Sequence, residues 1–493
     1  MSPADQKRGV TGRTVRGAVV MLASRFLGTG IAIGATAILA RYVSPEEFGL
    51  VAMVMAILAI TRVLEEFGLG DAMIQQEVIN NHQVSSLFWI NGVVGFLLTC
   101  GFAAASPLIA GFYGRDDLMM ISVSLSPLFL LAALGAQHRA VMRRAFRFRP
   151  LAIAQTSSLA VGAIGGIIAA VQGLGVWAIV IQNLLAAMTL LVGSWIGSGW
   201  RPAMVFSFAE VRPMLGYGLN LGASQFLNAL TRSLDSILIG RFVGPAAAGA
   251  YNRAFQLMML PGSQLNQPLS SAVVPALSRL QKNPEEYRVL YRGAIEIISS
   301  LALPLAVFSG VAAPALVGTL LGPAWNESVP LLRALSPAGL MVSLNIMTGW
   351  VYLSLGRTDR QLRWRLVGVS GAIICMCIGL NWGALGVALG LSVSRVTLRL
   401  PAIIYCFHGT FLRLADVTTV IWRSTLASLV AGLVTYFADP EGMAPVLRLL
   451  LQVLIFSATW LASMLVVPGG LNRLAAIRLL LANLRNKEEM VHG

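Results

Sequence analysis

Charge is scarce in this chain. Only 12% of its 493 residues are Asp, Glu, Lys or Arg, against roughly 25% in a soluble globular domain. The shortage runs the whole length. It excludes a soluble fold and leaves a polytopic membrane protein, in line with a hydrophobic content of 56% and a mean hydropathy of +0.75. Lysine is almost missing: Lys7, Lys282 and Lys487 are three of the 36 basic residues, and the rest are arginine. The net charge of +15 would ordinarily point to nucleic acid or an acidic surface. No basic block alternates with exposed aromatics, so nucleic acid is excluded as a partner.

The residues of covalent chemistry are also thin. No Gly-Lys pair occurs anywhere, so there is no Walker A loop and no ATP hydrolysis in this chain. HExxH and GxSxG are absent. Three of the four histidines, His82, His138 and His492, lie in or beside loops or in the tail. Four cysteines, Cys100, Cys375, Cys377 and Cys406, all fall in apolar segments. Cys375 and Cys377 have no His or acid nearby, so buried thiols are expected and no metal site is. No cofactor is expected beyond a coupling H⁺ or Na⁺. Energy must come from an ion gradient, the membrane potential or downhill use of the product.

What is present is a series of apolar segments. Fourteen can cross a hydrocarbon core of about 30 Å as helices: 15–40, 48–70, 84–111, 118–138, 151–172, 175–197, 214–240, 246–278, 290–316, 328–355, 364–381, 384–405, 417–438 and 444–467. The first 14 residues are polar and basic, and the run behind them is too long for a cleaved signal, so it reads as a retained first span. With the N-terminus in the cytoplasm, the predicted outer loops hold only Arg41, Arg115 and Arg241, and the inner loops and tails hold most of the basic residues. That is the positive-inside pattern, and it puts both termini in the cytoplasm. The outer loops are short. The tail from Leu471 to Lys487 reads as a basic amphipathic segment on the inner leaflet.

A repeat runs through the segments. Ala40-Arg41-Tyr42-Val43-Ser44-Pro45 matches Gly240-Arg241-Phe242-Val243-Gly244-Pro245 at an offset of 200, and the register holds to Gly49 and Gly249. Leu125-Ser126-Pro127 matches Leu335-Ser336-Pro337 at an offset of 210, which also brings Arg147 onto Arg357. Leu174-Gly175-Val176 matches Leu385-Gly386-Val387 at 211. The repeat unit is six spans, an even number, so both copies enter from one side. The expected fold is all-α, with two six-helix lobes related by a pseudo-twofold along the membrane normal and two extra helices. The lobes fall at 1–200 and 201–412, the extra spans at 413–467, and a basic cytoplasmic tail at 468–493. Repeated halves put the substrate at their interface and suit alternating access. GxxxG pairs at Gly30/Gly34, Gly162/Gly166, Gly193/Gly197, Gly218/Gly222 and Gly386/Gly390 predict close helix packing. Pro127, Pro261, Pro304 and Pro337 mark candidate kinks.

Polar residues inside spans carry the functional reading, since each charge costs roughly 2.5–3.5 kcal/mol at the bilayer centre and needs a partner or water. The segment from Tyr217 to Leu280 forms two helices joined by a tight turn at 241–245. One face of the first carries Asn220, Ser224, Asn228, Thr231, Arg232 and Asp235, and the second carries Asn252, Arg253, Gln256, Ser263, Gln264 and Gln267, with a break expected at Pro261-Gly262. Such stripes face protein or water, not lipid. Arg25, Arg62, Arg232, Arg253 and Arg333, drawn from both halves, form the candidate cationic chamber. Arg25 and Arg253 have no acid at helical spacing. Arginine suits phosphate because its fork can bind two oxygens. Glu65 or Glu66 neutralises Arg62, or Glu65 joins Asp235 and Glu296 as a candidate coupling carboxylate. Arg399, Arg423 and Arg448 sit near enough to an interface to snorkel.

The stretch Ala37-Ile-Leu-Ala-Arg-Tyr-Val-Ser-Pro-Glu-Glu-Phe-Gly49 resembles the first hairpin of the bacterial polysaccharide transporter family. Phe67-Gly-Leu-Gly70 with Ala72-Met-Ile-Gln75, Met142-Arg-Arg-Ala-Phe-Arg-Phe148, Tyr251-Asn-Arg-Ala-Phe255 and Val274-Pro-Ala-Leu-Ser-Arg-Leu280 are similar to later motifs of that family, nearest its colanic acid and succinoglycan exporters. The resemblance implies a fold related to multidrug and toxin extruders. It implies flipping of an undecaprenyl-pyrophosphate-linked oligosaccharide across a bacterial inner membrane, with no enzymatic step. The pyrophosphate would sit on the arginines, and the glycan would lie on Asn220, Ser224, Asn228, Asn252 and Gln256. The polyprenyl tail would stay in the bilayer. A polymerase and chain-length or export proteins of the same pathway are the further partners implied.

Three other readings stay open at this point. A lipid II flippase would be equally cationic. An ion-coupled drug extruder on the same fold would need an acidic cavity for cationic cargo, and acids are few. A membrane glycan polymerase or ligase would need a sizeable outer loop with convergent polar residues, and none is present.

Overall fold

The computed structural model describes residues 3–66, 80–207, 226, 229, 230, 233–439 and 442–466. Among them there is helix and no strand, the form a backbone must take where no water can satisfy its polar groups. The helices are α1 (Pro3–Tyr42), α2 (Pro45–Glu66), α3 (Asn81–Ala104), α4 (Ser106–Tyr113), α5 (Asp117–Leu125), α6 (Pro127–Arg144), α7 (Phe148–Val171) and α8 (Val176–Ser198), then α9 (Pro245–Arg279), α10 (Pro284–Val311), α11 (Ala313–Leu320), α12 (Ser328–Ser354), α13 (Thr358–Gly379), α14 (Gly383–Thr397), α15 (Arg399–Phe407), α16 (Ala415–Phe437) and α17 (Pro445–Val466). Every predicted span except 214–240 overlies one or two of these. Most of 214–240 lies outside the described residues; its end, 233–242, is helical.

By length and composition, ten stretches of the described residues can cross a membrane. One of them, Thr358–Phe407, is 50 residues long and contains α13, α14 and α15 with a 3₁₀ turn at Leu380–Trp382. The long helices α2 and α9 are not among the ten. Their sequences carry Glu46, Glu47 and Arg62, and Asn252, Arg253 and Gln256, charged and polar residues that interrupt an apolar run. Large apolar side chains point outward all along the chain: Phe26 is 62% exposed, Ile164 58%, Ile374 59% and Leu454 66%. A surface of that kind belongs in lipid, and the chain is a multi-pass membrane protein.

Proline and serine divide some spans that the sequence suggests are single. The span at 84–111 breaks at Ala105, ahead of Ser106-Pro107, and the span at 118–138 breaks at Ser126, ahead of Pro127. Proline fits the first turn of a new helix, where its missing N–H leaves no bond unmade. The expected break at Pro261-Gly262 does not occur. The backbone of α9 stays helical through it, as membrane helices can where neighbouring groups re-satisfy the freed carbonyl. Pro304 and Pro337 likewise lie inside α10 and α12.

The chain forms two compact units, Met1–Gly249 with Leu320–Ala324, and Ala250–Thr319 with Trp325–Gly493. In the first, α7 packs along α8, α3 along α6, α6 along α8 and α1 along α7. Gly162 and Gly166 let α7 approach Gln182 of α8: a Cβ on either would fall within 2.8 Å of it. Ser24 Oγ ties α1 to α7 through Thr156 Oγ1 at 2.7 Å. After α8 the chain folds back over the start of α3. Trp89 Nε1 donates to the Ala203 carbonyl at 3.0 Å, the Ala203 N–H to Ser85 Oγ at 3.0 Å and the Ser207 N–H to Ser86 Oγ at 3.0 Å.

The second unit repeats the pairings: α10 along α12, α12 along α14, and α13 along α14. Gly386 and Gly390 bring α14 against the backbone of Gly379 and Cys375. The core is aromatic, with Trp350, Tyr287 and Tyr291 at most 1% exposed. The two extra helices add to this unit, α16 on α10 and α17 on α16, with Ser300 and Ser424 hydroxyls 3.2 Å apart.

The repeat extends to single hydrogen bonds. The Arg147 N–H reaches back to the Met142 carbonyl at 2.9 Å, and the Arg357 N–H to the Tyr352 carbonyl at 2.8 Å, the closing bond of a helix C-terminal motif. The residue before each arginine has the left-handed backbone that the motif needs: Phe146 at φ 54° and Gly356 at φ 69°. The guanidinium then caps another helix end. Arg147 Nη1 donates to the Ser198 carbonyl at 2.7 Å, and Arg357 Nη1 to that of His408 at 2.9 Å. All four pairs keep the offset of 210 found in the sequence.

Candidate functional site

Helix α9 presents the best-defined polar group among the predicted site residues. Arg253 Nη1 donates to Gln256 Oε1 at 2.7 Å, and Gln256 Nε2 donates to Asn252 Oδ1 at 3.0 Å. The three lie within four residues, so one helix turn holds them as a chain. Arg253 and Asn252 are half-buried and Gln256 is exposed. The two amides hold the guanidinium in a set orientation and keep amide hydrogens and oxygens at the surface. That combination can take a phosphate on the guanidinium and hydroxyls on the amides.

The other predicted residues fall in separate places. Arg25 is half-buried on α1, beside the Ser24 contact to α7, and its carbonyl accepts from Thr29 Oγ1 at 2.9 Å. Arg62 is half-buried near the end of α2. Asp235 is 3% exposed, and its Oδ1 accepts from the Ser236 N–H at 2.7 Å. Glu296 is half-buried on α10. Arg333 is exposed on α12 and lies in the electrostatic reach of Asp439. Asn220, Ser224, Asn228, Arg232 and the side chain of Glu65 lie outside the described residues.

Several arginines have structural partners. Arg288 donates to the Phe411 carbonyl at 3.0 Å through Nε, and Arg292 Nε to Asp416 Oδ1 at 2.8 Å. Asp416 is 1% exposed and also accepts from the Arg413 N–H at 2.8 Å. Arg448, near the start of α17, has an acid: its Nε donates to Asp439 Oδ1 at 2.7 Å, and Gln452 Nε2 reaches the same oxygen at 2.8 Å. The bonds from Arg448, helped by Gln452, hold the Asp439 carboxyl below its ordinary value of 3.8. Arg115 bridges Asp117 and Glu46 at 2.9 and 3.0 Å, which holds its charge more firmly than usual. Arg423 lies over the Trp422 ring at 5.4 Å.

Arg399 is the residue that sequence reasoning misplaced. Snorkelling does not fit its burial, since it is only 8% exposed. A helix break at Leu398, three residues before Pro401, ends α14 and starts α15 at Arg399. Arg399 lies buried in the first turn of α15. Its Nη1 donates to Asn345 Oδ1 at 2.8 Å, and Nη2 lies 3.5 Å from Thr348 Oγ1. Pro401 was the available signal. Among the described residues, no group of three or more His, Cys, Asp and Glu could hold a metal ion.

The model of the polysaccharide biosynthesis protein family matches residues 38–330. The chain is 26% identical over 391 residues to the lipopolysaccharide biosynthesis protein WzxC of Escherichia coli, covering 78% of this chain and 79% of the relative. Among solved structures, it is similar to the lipid II flippase MurJ in an inward closed conformation, with a TM-score of 0.72, 16% identity and coverage of 91% of this chain and 98% of that one. It is also similar to an inward-facing multidrug resistance MATE family transporter, with a TM-score of 0.62, 15% identity and coverage of 79% and 97%. These last two likenesses establish the two-lobe fold. The family match covers more than half of the sequence, and the chain belongs to the polysaccharide biosynthesis protein family.

Proposed function

We propose that this member of the polysaccharide biosynthesis protein family is a flippase. It moves an oligosaccharide linked to a polyprenyl pyrophosphate across a bacterial inner membrane by alternating access, and it catalyses no covalent step. One observation carries the reading: two units repeat the same helix pairings, the architecture of alternating-access carriers, in a chain whose family is that of polysaccharide biosynthesis. The outward apolar surface leaves room for a polyprenyl tail in lipid. The membrane is the inner one with both termini cytoplasmic, which is the side on which the arginine-capped helix ends at Ser198 and His408 would then sit.

In this reading Arg253, set by Gln256 and Asn252, contacts the pyrophosphate, and Arg25, Arg62, Arg232 and Arg333 contribute the remaining positive field. Asn220, Ser224, Asn228, Asn252 and Gln256 contact the glycan. Arginine forks are matched to two phosphate oxygens at once, and amides to hydroxyls. Asp235, Glu296 and Glu65 are the carboxylates available to trade H⁺ or Na⁺ as the units alternate. Polymerase and export proteins of the same pathway are the partners that would consume the flipped product.

The test is in cells that make the polymer. Depleting the protein should halt polymer export and leave lipid-linked repeat units on the inner leaflet. Normal export with no accumulation in the depleted cells contradicts the reading.

A further inference from the structure

Arg399 is a charge inside a membrane bundle, buried to 8% exposure, with neutral hydrogen-bond partners. Its Nε is buried with no acceptor among the described residues, and none of their carboxylates pairs with it. A guanidinium in that position is costly unless something negative joins it. The same unit shows the alternative. Arg292 and Arg448 each have an acid, Asp416 and Asp439. Arg399, by contrast, meets Asn345 and Thr348.

Its position gives it an opening. Asn345, which takes the Nη1 hydrogen, is exposed. The guanidinium lies one side chain below the surface of α12. Asn345 shares an exposed stripe of that helix with Pro337 and Arg333, at spacings of eight and four residues. Arg333 is twelve residues away, about 18 Å along the axis. The two cations thus mark the two ends of one helix face. They differ in compensation: Arg333 lies in the field of Asp439, while Arg399 has Asn345 and Thr348. Thr348 at 3.5 Å is at the limit of a hydrogen bond, so Nη2 is only weakly engaged, and the Nη1–Nη2 end suits two oxyanion oxygens side by side once Asn345 turns away.

We propose that Arg399 and Asn345 form an oxyanion site of the second unit, specific for a pyrophosphate that enters past Asn345. The incoming oxygens replace the Asn345 oxygen on Nη1, and the asparagine amide turns to donate to them. The site lies in the second half of α12, at Asn345 and Thr348, and the stripe leads from it toward Arg333. An anion held by Arg399, which no described carboxylate compensates, passes to the end where Asp439 offsets the charge of Arg333, which favours release. That the pyrophosphate is carried on a polyprenyl chain rests on the flippase reading. The anion site itself does not.

The experiment uses the full-length protein in detergent and measures affinity for three probes: inorganic pyrophosphate, undecaprenyl pyrophosphate and phosphatidylglycerol. The telling variant is Asn345→Asp. It changes one atom and gives Arg399 a carboxylate, which none of the described residues supplies, so thermal stability should not fall. Affinity for both pyrophosphates should drop by about tenfold, the scale of one hydrogen bond to a charged group, with phosphatidylglycerol unaffected. Unchanged pyrophosphate affinities overturn the site and leave the flippase reading standing. A drop confined to phosphatidylglycerol also overturns it, because the anion is then a headgroup. If inorganic pyrophosphate binds in an Asn345-dependent way but undecaprenyl pyrophosphate does not bind at all, the site stands and the flippase reading falls. Arg399→Lys is the second variant. It keeps the charge and loses the fork, so affinity should fall partway; full affinity in a folded Arg399→Lys protein overturns the proposal.

Discussion

Gly49 and Gly249 meet backbone to backbone, and each approaches the proline that starts the other's helix. A Cβ on Gly49 would fall 1.7 Å from the Pro245 carbonyl oxygen, and one on Gly249 would fall 1.9 Å from that of Pro45. The exchange is reciprocal, as expected of two copies of one motif meeting about a pseudo-twofold axis. Neither obstacle is a flexible side chain, so the backbones themselves would have to move.

Gly49→Ala or Gly249→Ala should therefore cost about 1–3 kcal/mol of stability, the range for overpacking a close contact. Gly30→Ala and Gly34→Ala should cost nothing measurable, because no atom lies within 4 Å of a Cβ there. Thermal unfolding in detergent, read by size-exclusion chromatography, checks all four. Equal behaviour of the two pairs would contradict the geometry.

The arginines separate into two kinds, and mutation should separate them the same way. Arg357 caps the α15 end through the carbonyls of His408 and Gly409. Arg357→Ala should lower stability by about 1–3 kcal/mol and reduce the amount of protein in the membrane. Arg253→Ala should leave the amount normal and stop export, and Arg253→Lys should restore part of it. Export assayed at matched membrane levels distinguishes the two; full export by a double Arg25→Ala, Arg253→Ala variant removes both from the site.

Much of this was legible in the sequence. Span positions followed from hydropathy, and the repeat offsets of 200 and 210 followed from short motifs that turn out to mark backbone approaches and helix caps. These features depend on local sequence, so a single chain reveals them. Arg399 was not legible in that way. Its burial depends on a helix break at Leu398 and on Asn345, 54 residues away, and no periodicity connects those two. The partner of Arg448 was likewise not legible: Asp439 lies in the turn before its own helix, off any helical spacing. The continuity of α9 through Pro261 was hidden because proline alone does not say whether a neighbour takes up the freed carbonyl.

Asp235 can be tested for coupling against plain neutralisation of Arg232. If it couples, Asp235→Asn should abolish gradient-driven transport in a folded protein. If it only balances charge, the double change Asp235→Asn with Arg232→Gln should restore what the single change lost. Gradient-dependent uptake in vesicles gives the comparison, and restoration in the double variant takes Asp235 out of the mechanism.

Asp439 gives a pH dependence with a defined sign. Its folded carboxyl is held below the ordinary 3.8, chiefly by Arg448. A group depressed by folding contributes fully above its unfolded value and loses that contribution as pH falls through the folded one. The melting temperature should thus fall more steeply below about pH 4 in the wild type than in Asp439→Asn. Parallel curves for the two proteins would mean that the Arg448 pair contributes nothing to folding.

The central claim is translocation, and it is tested most directly in proteoliposomes. The purified protein is reconstituted with a polyprenyl-pyrophosphate-linked oligosaccharide in both leaflets, and a membrane-impermeant glycan-binding lectin is added outside. With the protein present, the account predicts that the lectin reaches essentially all of the glycan over time, while empty vesicles and the Arg253→Ala variant plateau at the outer-leaflet fraction. A plateau at that same fraction with folded wild-type protein, with or without an ion gradient, would contradict it.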